Sequence, residues 1–182
     1  MRVRLQALVV VPLVIGAIAS AFGVLGHFLG NALGMPGRLG MPPALRGAGV
    51  VVLALGFLLL GWVFRHRKPA EILASTYATM RKAVRRTRQD EASARTEPLV
   101  LQGPQRHVRH PMYFAVVAIW FGWWLALDYT FLLFTAFLFL LWFNLVVIPF
   151  EEKELKALYG EEYEAYAKSV PRFLPSLKSR WD

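Results

Sequence analysis

Residues 112–150 read MYFAVVAIWFGWWLAL-D-YTFLLFTAFLFLLWFNLVVIPF, two apolar runs split by Asp128 and followed at once by Glu151-Glu152. Apolar length of this kind, unbroken by the polar positions of an amphipathic stripe, requires lipid as the surrounding solvent. At about 1.5 Å per helical residue, the run Tyr129–Phe150 covers a hydrocarbon core of about 30 Å. The run Met112–Leu127 is short for a crossing, and is expected either to begin inside the preceding loop or to pack where the bilayer is thinned. One tight polar turn joins them, so they form an antiparallel hairpin. Its geometry brings the residues just before Met112 and the Glu151-Glu152 pair to the same membrane face.

Two further apolar blocks lie upstream. The first, Leu5–Leu29, follows Arg2 and Arg4 and starts like a signal peptide, with small residues at Ala17, Ala19 and Ala21. The apolar run continues past them, so it is expected as a retained span. Gly16, Gly23, Gly26 and Gly30 suit close helix packing, with Gly26-x-x-x-Gly30 a weak form of the small-residue interface. A Gly- and Pro-rich loop, Gly30–Ala44, leads to the second block, Leu45–Phe64. The expected fold is therefore all-α: a polytopic membrane bundle of about four spans, with a basic interfacial helix and a short helical tail. Residues 1–182 read as one membrane domain: spans one and two in 1–64, a basic cytoplasmic loop in 65–111, the hairpin in 112–150 and a cytoplasmic tail in 151–182. The chain is 56% hydrophobic with a mean hydropathy of +0.42, and no linker or fixed repeat divides it.

The net charge is +9. With no nucleic-acid reading motif beside it, this surplus is the signature of positive-inside topology, and nucleic acid is not an expected partner. If the N-terminus is cytoplasmic, inside segments hold two basic residues before span one, eleven from Arg65 to Arg109 and six from Lys153 to Arg180; only Arg38 and Arg46 fall on or near the outer side. Both termini are then cytoplasmic, and Trp123, Trp124 and Tyr129 gather at the outer interface. Between spans two and three, Ile72, Leu73, Tyr77, Met80 and Val84 recur at helical spacing among Arg81, Lys82, Arg85, Arg86 and Arg88. This predicts a helix on the inner surface, its cations among anionic lipid headgroups. The absence of cysteine excludes disulfides, thiolate metal sites and a cysteine nucleophile.

Chemistry-bearing residues crowd the cytoplasmic end of the hairpin. Ahead of span three stands Gly103-Pro104-Gln105-Arg106-His107-Val108-Arg109-His110-Pro111-Met112-Tyr113, with Pro111 suited to a first helical turn. Beyond span four come Glu151 and Glu152, which are costly near a membrane unless a cation meets them. Glu152 and Lys156 at i,i+4 would also make an ordinary exposed pair. Further on, Leu155, Leu158, Tyr159, Tyr163 and Tyr166 share helical spacing, with Gly160 as a helix stop and Glu161-Glu162 as a restart. This face either packs under the spans or closes a pocket over the hairpin's end. His107 and His110 are at i,i+3, but only His27 and His66 accompany them, so no metal site is expected. His27 is expected to be packed and hydrogen-bonded, His66 to belong to the basic margin, and Asn144 to bond a neighbouring helix or touch ligand.

The ordered string Gly-Pro-x-Arg-x-x-Arg-His-Pro-x-Tyr, an apolar hairpin, Glu-Glu, Tyr-Gly-x-x-Tyr-x-x-Tyr and Val-Pro-Arg-Phe-x-Pro resembles the isoprenylcysteine carboxyl methyltransferase and phospholipid methyltransferase superfamily over roughly residues 98–177. The first two spans carry no such signature. The resemblance implies an enzyme using S-adenosyl-L-methionine, bound without a Rossmann domain between the last spans and the tail. It implies a cofactor wall of Arg109, His110, Pro111 and Tyr113 with Gly103 and His107 nearby, and a facing wall of Glu151 and Glu152. Candidates for a catalytic role are His110, Arg109, Glu152 and Arg172. Family members often carry a basic residue before Val-Pro, where this chain has Ser169.

The chemistry of the residues agrees. A sulfonium donor carrying an ammonium, a carboxylate and ribose hydroxyls needs acidic groups and basic or amide donors together. Methyl transfer is an in-line displacement that depends on holding donor and acceptor at reacting distance in a dry site. A thiolate or carboxylate acceptor needs no strong base, whereas an amine must arrive neutral or lose a proton to His110 or a glutamate. The expected function is methyl transfer to a lipophilic acceptor from the bilayer, isoprenylcysteine-carboxylate-like or phospholipid-like. The alternatives are an NADPH-dependent reductase of the sterol reductase type and a non-enzymatic membrane scaffold.

Overall fold

The computed structural model describes residues 2–74, 76–77 and 101–175, with side chains from residue 6 onward. All regular structure among them is helical. Helix α1 is Arg2–Ala32 and α2 is Pro43–His66; a 3₁₀ turn, Gly103–Arg106, precedes α3, Pro111–Leu127; α4, Thr130–Trp142, passes through a π-helical turn, Phe143–Val147, into α5, Ile148–Ser169. Three of these helical stretches are long and apolar enough to cross a membrane, Gln6–Ala32, Pro43–His66 and the continuous Thr130–Ser169, and Pro111–Leu127 is a shorter apolar helix. The spanning part of the last is Thr130–Phe150, where the apolar run ends. Large apolar side chains such as Leu13 at 67%, Phe28 at 66% and Leu58 at 69% exposure cover the outside, as a lipid-facing bundle requires. The chain is an integral membrane helical bundle.

Small residues set the helix pairs. A Cβ on Gly49 of α2 would lie 2.5 Å from the Ala126 nitrogen, and one on Gly122 of α3 would lie 2.8 Å from the Leu53 nitrogen. Gly56 likewise meets Ile119 and the Ala115 carbonyl. The α2 and α3 backbones are therefore in near contact, the arrangement by which helices associate in lipid where no hydrophobic effect drives them together. On the other side α1 packs against α4. There Gly26 accommodates the Phe131 carbonyl and Gly30 the Phe134 ring, whereas Gly16 and Gly23 face open space. Of the four glycines expected to serve packing, the Gly26-x-x-x-Gly30 pair does so.

The hairpin turn is an anchoring point. Asp128 takes a left-handed conformation at the end of α3 (φ 60°), and its carboxylate accepts hydrogen bonds from the Leu39, Gly40 and Met41 amides at 3.1, 2.8 and 3.0 Å. Desolvation works against the charged form, but these amides and the Arg46 charge outweigh it and hold the carboxyl below the ordinary carboxylate range. Arg46 Nε donates to the Ala126 carbonyl at 3.1 Å, and the Arg38 guanidinium lies 4.4 Å from the Tyr129 ring centre. Thus the α1–α2 loop is clamped onto the α3–α4 turn at the end opposite Glu151.

Several local expectations need revising. His27 accepts a bond from the Asn31 amide at 3.1 Å but is exposed, not packed. His66 is more than a basic margin residue: its ring occupies the space a side chain on Gly103 would need, with the nearest ring atom 2.7 Å from that Cβ position. Asn144 donates its amide at 2.9 Å to the Leu140 carbonyl of its own helix, beside the wide π turn, and not to a neighbouring helix. Of the basic loop helix, residues 69–74 and 76–77 are helical with Ile72 buried, while Met80, Val84 and the arginines from Arg81 to Arg88 lie outside the described residues.

Candidate active site

Local sequence sets each wall. Gly103 adopts φ +63°, a left-handed conformation that glycine tolerates, and opens the 3₁₀ turn that seats the motif on the end of α2. Pro111 then starts α3 at a position where its missing amide hydrogen costs nothing. On the opposite strand of the hairpin, the π turn adds a residue to the helical register ahead of Glu151. Wide turns of this kind recur at functional sites because they re-aim the side chains that follow. Phe143, within the turn, stacks on Tyr113 with ring centres 4.7 Å apart.

The two walls meet. Arg109 Nη1 lies 2.7 Å from Glu152 Oε1, and His110 Nε2 lies 3.2 Å from the same oxygen. His110 Nδ1 is 3.7 Å from Glu151 Oε2, which also accepts a 2.9 Å hydrogen bond from the Tyr113 hydroxyl. Arg172 Nε lies 3.3 Å from Glu152 Oε2, close enough for an ion pair but without hydrogen-bond alignment. The histidine side chain is 4% exposed and the carboxylates 17% and 19%, so this network is shielded on most sides. Lys156 pairs with Glu164 across the Gly160 kink at 2.6 Å. Glu152 is thus committed to the hairpin's cations and not to an exposed i,i+4 pair.

Electrostatics follow from this geometry. Burial works against a charged His110, but hydrogen bonds and charge from Glu151 and Glu152 outweigh it and raise its pKa above the ordinary 6.5. Burial likewise disfavours ionised Glu152, yet His110, Arg109 and Arg172 together hold it below the ordinary 4.5. Both are outside the spanning segments. A carboxylate near each ring nitrogen favours the imidazolium form, which bridges the two anions.

The tail closes over the first wall. Gly160 breaks the helix at φ 51°, ψ −123°, and beyond it Tyr163, Tyr166 and Val170 pack with Leu101. Arg109 N–H donates to the Pro171 carbonyl at 2.9 Å, the Tyr166 hydroxyl donates to the Gln105 carbonyl at 2.8 Å, and Phe173 meets Phe114 edge-on.

Arg109, His110, Tyr113, Glu151, Glu152 and Arg172 are joined in one network, with buried Pro111 as its pivot. Gly103 and His107 instead sit against the end of α2, where the His107 ring is 6.1 Å from that of Trp62. Sequence reasoning missed three groups. Phe143 is hidden inside an apolar run; Gln105 looks like a loop residue; Tyr163 reads as one of a packing stripe. Yet the Gln105 Oε1, Arg109 Nε and Tyr163 hydroxyl atoms are buried without a hydrogen-bond partner among the described residues.

The phospholipid methyltransferase family model matches residues 45–162. No curated protein and no solved structure matches the chain. The match begins at α2, which the signature motifs had left out, and the interlocked Gly49, Gly56 and Gly122 with the His66–Gly103 contact show why α2 is part of the same unit. With a match over more than half of its length, the chain belongs to the phospholipid methyltransferase family of integral membrane methyltransferases.

Proposed function

We propose that the protein transfers a methyl group from S-adenosyl-L-methionine to a lipophilic acceptor that enters from the bilayer, isoprenylcysteine-carboxylate-like or phospholipid-like. The observation that carries this reading is the pairing of Glu151 and Glu152 with Arg109, His110 and Tyr113 at the end of the hairpin opposite its Asp128 turn.

The residues present suit the donor. Its sulfonium and ammonium call for carboxylates; Glu152 is held below its ordinary pKa by His110, Arg109 and Arg172, and Glu151 is held in position by Tyr113. Its carboxylate and hydroxyls call for unspent donors and acceptors, and Arg109 Nε, the Tyr163 hydroxyl and Gln105 Oε1 are buried and unpartnered. When bound, the donor supplies an electrophilic methyl on a positively charged sulfur. Tyr113, stacked between His110 and Phe143, gives the carboxylates an apolar backing that excludes water and strengthens their hold on a cation. Arg172, 38% exposed and out of alignment with Glu152, is the network's most easily displaced partner, so the tail yields first when a ligand cation enters. His110, with Glu151 and Glu152 each near one ring nitrogen and its pKa raised by them, is an organiser of the carboxylates and a poor resting base. An amine acceptor would then give its proton to a glutamate or to water.

The same reading puts the site and both termini in the cytoplasm, with Arg65, Arg67, Lys68 and Arg106 among anionic headgroups, because the basic residues concentrate at the site's end of the bundle. The test uses the protein in nanodiscs of mixed phospholipids, with methyl-labelled donor and added candidate acceptors. Label appearing in the organic phase, and lost in Glu152→Gln, is the expected result. Folded protein that labels no lipid, prenylated thioether acid or phospholipid amine would overturn the assignment.

A further inference from the structure

Tyr163 lies beyond the kink at Gly160, on the tail, and outside the two walls that the motifs define. It is 4% exposed, and its hydroxyl has no hydrogen-bond partner among the described residues. Leaving a buried hydroxyl unpartnered is destabilising, and a phenylalanine would fill the same place in the Tyr163, Tyr166 and Val170 cluster at no such cost. Tyr166, one turn on, has its hydroxyl committed to the Gln105 carbonyl. Tyr163 differs from it in having no such task.

The neighbours indicate what the hydroxyl is for. The Arg109 guanidinium stands beside it without hydrogen-bond alignment, and Glu152 and Glu151 lie further round. Arg109 has spent Nη1 on Glu152 but keeps Nε buried and unpartnered. Two buried donors, one of them on a permanent cation, are thus left without an acceptor. Pairing an O–H with a guanidinium N–H is a way to hold an anionic oxygen, and charge-assisted bonds of this kind are about twice as strong as neutral ones.

We propose that the Tyr163 hydroxyl and Arg109 Nε form an anion subsite that binds a carboxylate oxygen of a ligand. It rests on the methyl-transfer reading only for the source of that carboxylate, the donor's methionyl carboxylate or an acid group on the lipophilic acceptor. Because Tyr163 rides on the segment that also carries Arg172 and Pro171, engaging it ties the tail to the occupied site.

The experiment compares wild type with Tyr163→Phe in nanodiscs, by thermal unfolding without ligand and by titration with S-adenosylhomocysteine, its decarboxylated analogue, laurate and dodecanol. Ligand-free Tyr163→Phe is expected to unfold at the wild-type temperature or above it. If the donor supplies the oxygen, the variant binds S-adenosylhomocysteine about tenfold more weakly or worse and the decarboxylated analogue unchanged. If the acceptor supplies it, both nucleosides bind unchanged and laurate weakens relative to dodecanol. The subsite is overturned if Tyr163→Phe binds every probe as wild type does, weakens carboxylate and carboxylate-free probes alike, or is itself less stable. Wild type that binds no S-adenosylhomocysteine defeats the methyl-donor reading instead, and the laurate comparison still decides the subsite.

Discussion

Replacing Glu152 by glutamine should damage the fold more than the same change at Glu151. Glu152 faces three basic side chains: Arg109 at 2.7 Å, His110 at 3.2 Å and Arg172 at 3.3 Å. Removing one partner from a fully buried ion pair costs about 3–5 kcal/mol, because the remaining charge stays buried. Glu152 retains 19% exposure and Arg172 38%, so water relieves part of that cost, and glutamine keeps one acceptor oxygen; about 2 kcal/mol is the reasonable figure after that discount. Glu151 accepts a bond from Tyr113 and lies near a single basic side chain of the network, His110, at 3.7 Å. Glutamine can keep the tyrosine bond, so the loss should be smaller than at Glu152. For a chain of this size, about 2 kcal/mol corresponds to roughly 4–8 °C in the unfolding midpoint. Intrinsic-fluorescence melting of both variants in nanodiscs, at neutral pH and without ligand, measures this. A Glu152→Gln midpoint equal to wild type, or a larger drop for Glu151→Gln, would refute the placing of Glu152 at the centre of the network.

Stability should also pass through a plateau in pH. The His110 pairing contributes fully below its ordinary value of 6.5 and fades as pH rises through its raised folded-state value, while the Glu152 pairing is present above 4.5 and fades as pH falls through its lowered value. His110→Gln should therefore flatten the alkaline limb of a melting-point profile, and an unchanged limb would assign it elsewhere. Gly49→Ala places a methyl 2.5 Å from the Ala126 nitrogen and should cost about 1–3 kcal/mol in a melting assay, whereas Gly61→Ala, with nothing within 4 Å of its Cβ, should be neutral or slightly stabilising; equal midpoints would contradict the close α2–α3 contact. Gly103→Ala combines a left-handed backbone with a clash against His66, and should lower the midpoint by several degrees, partly restored by adding His66→Ala.

The spans were legible because lipid imposes a length and a polarity that single residues reveal. Met112–Leu127 and Tyr129–Phe150 show the hairpin directly, and antiparallel geometry alone brings Arg109 and His110 to Glu152. The Gly160 break was visible because a glycine between two acidic starts has a known conformational use. Other features depend on contacts distant in sequence. Gly49, Gly56 and Gly122 acquire meaning when α2 and α3 are laid together, and Asp128 looked like a turn residue until three amides of the α1–α2 loop converged on its carboxylate. The π turn has no signature, since Phe143–Val147 is as apolar as its flanks. Tyr163 was hidden because it packs as a member of a helical stripe, while what surrounds its hydroxyl, Arg109, is distant in sequence.

The most direct test of the account is calorimetric titration of the purified, folded protein in nanodiscs with S-adenosylhomocysteine, alongside NADPH. The account predicts saturable one-to-one binding of S-adenosylhomocysteine, weakened at least tenfold in Glu152→Gln, and no binding of NADPH. Binding of NADPH in its place, or no binding of S-adenosylhomocysteine by folded protein, would contradict it.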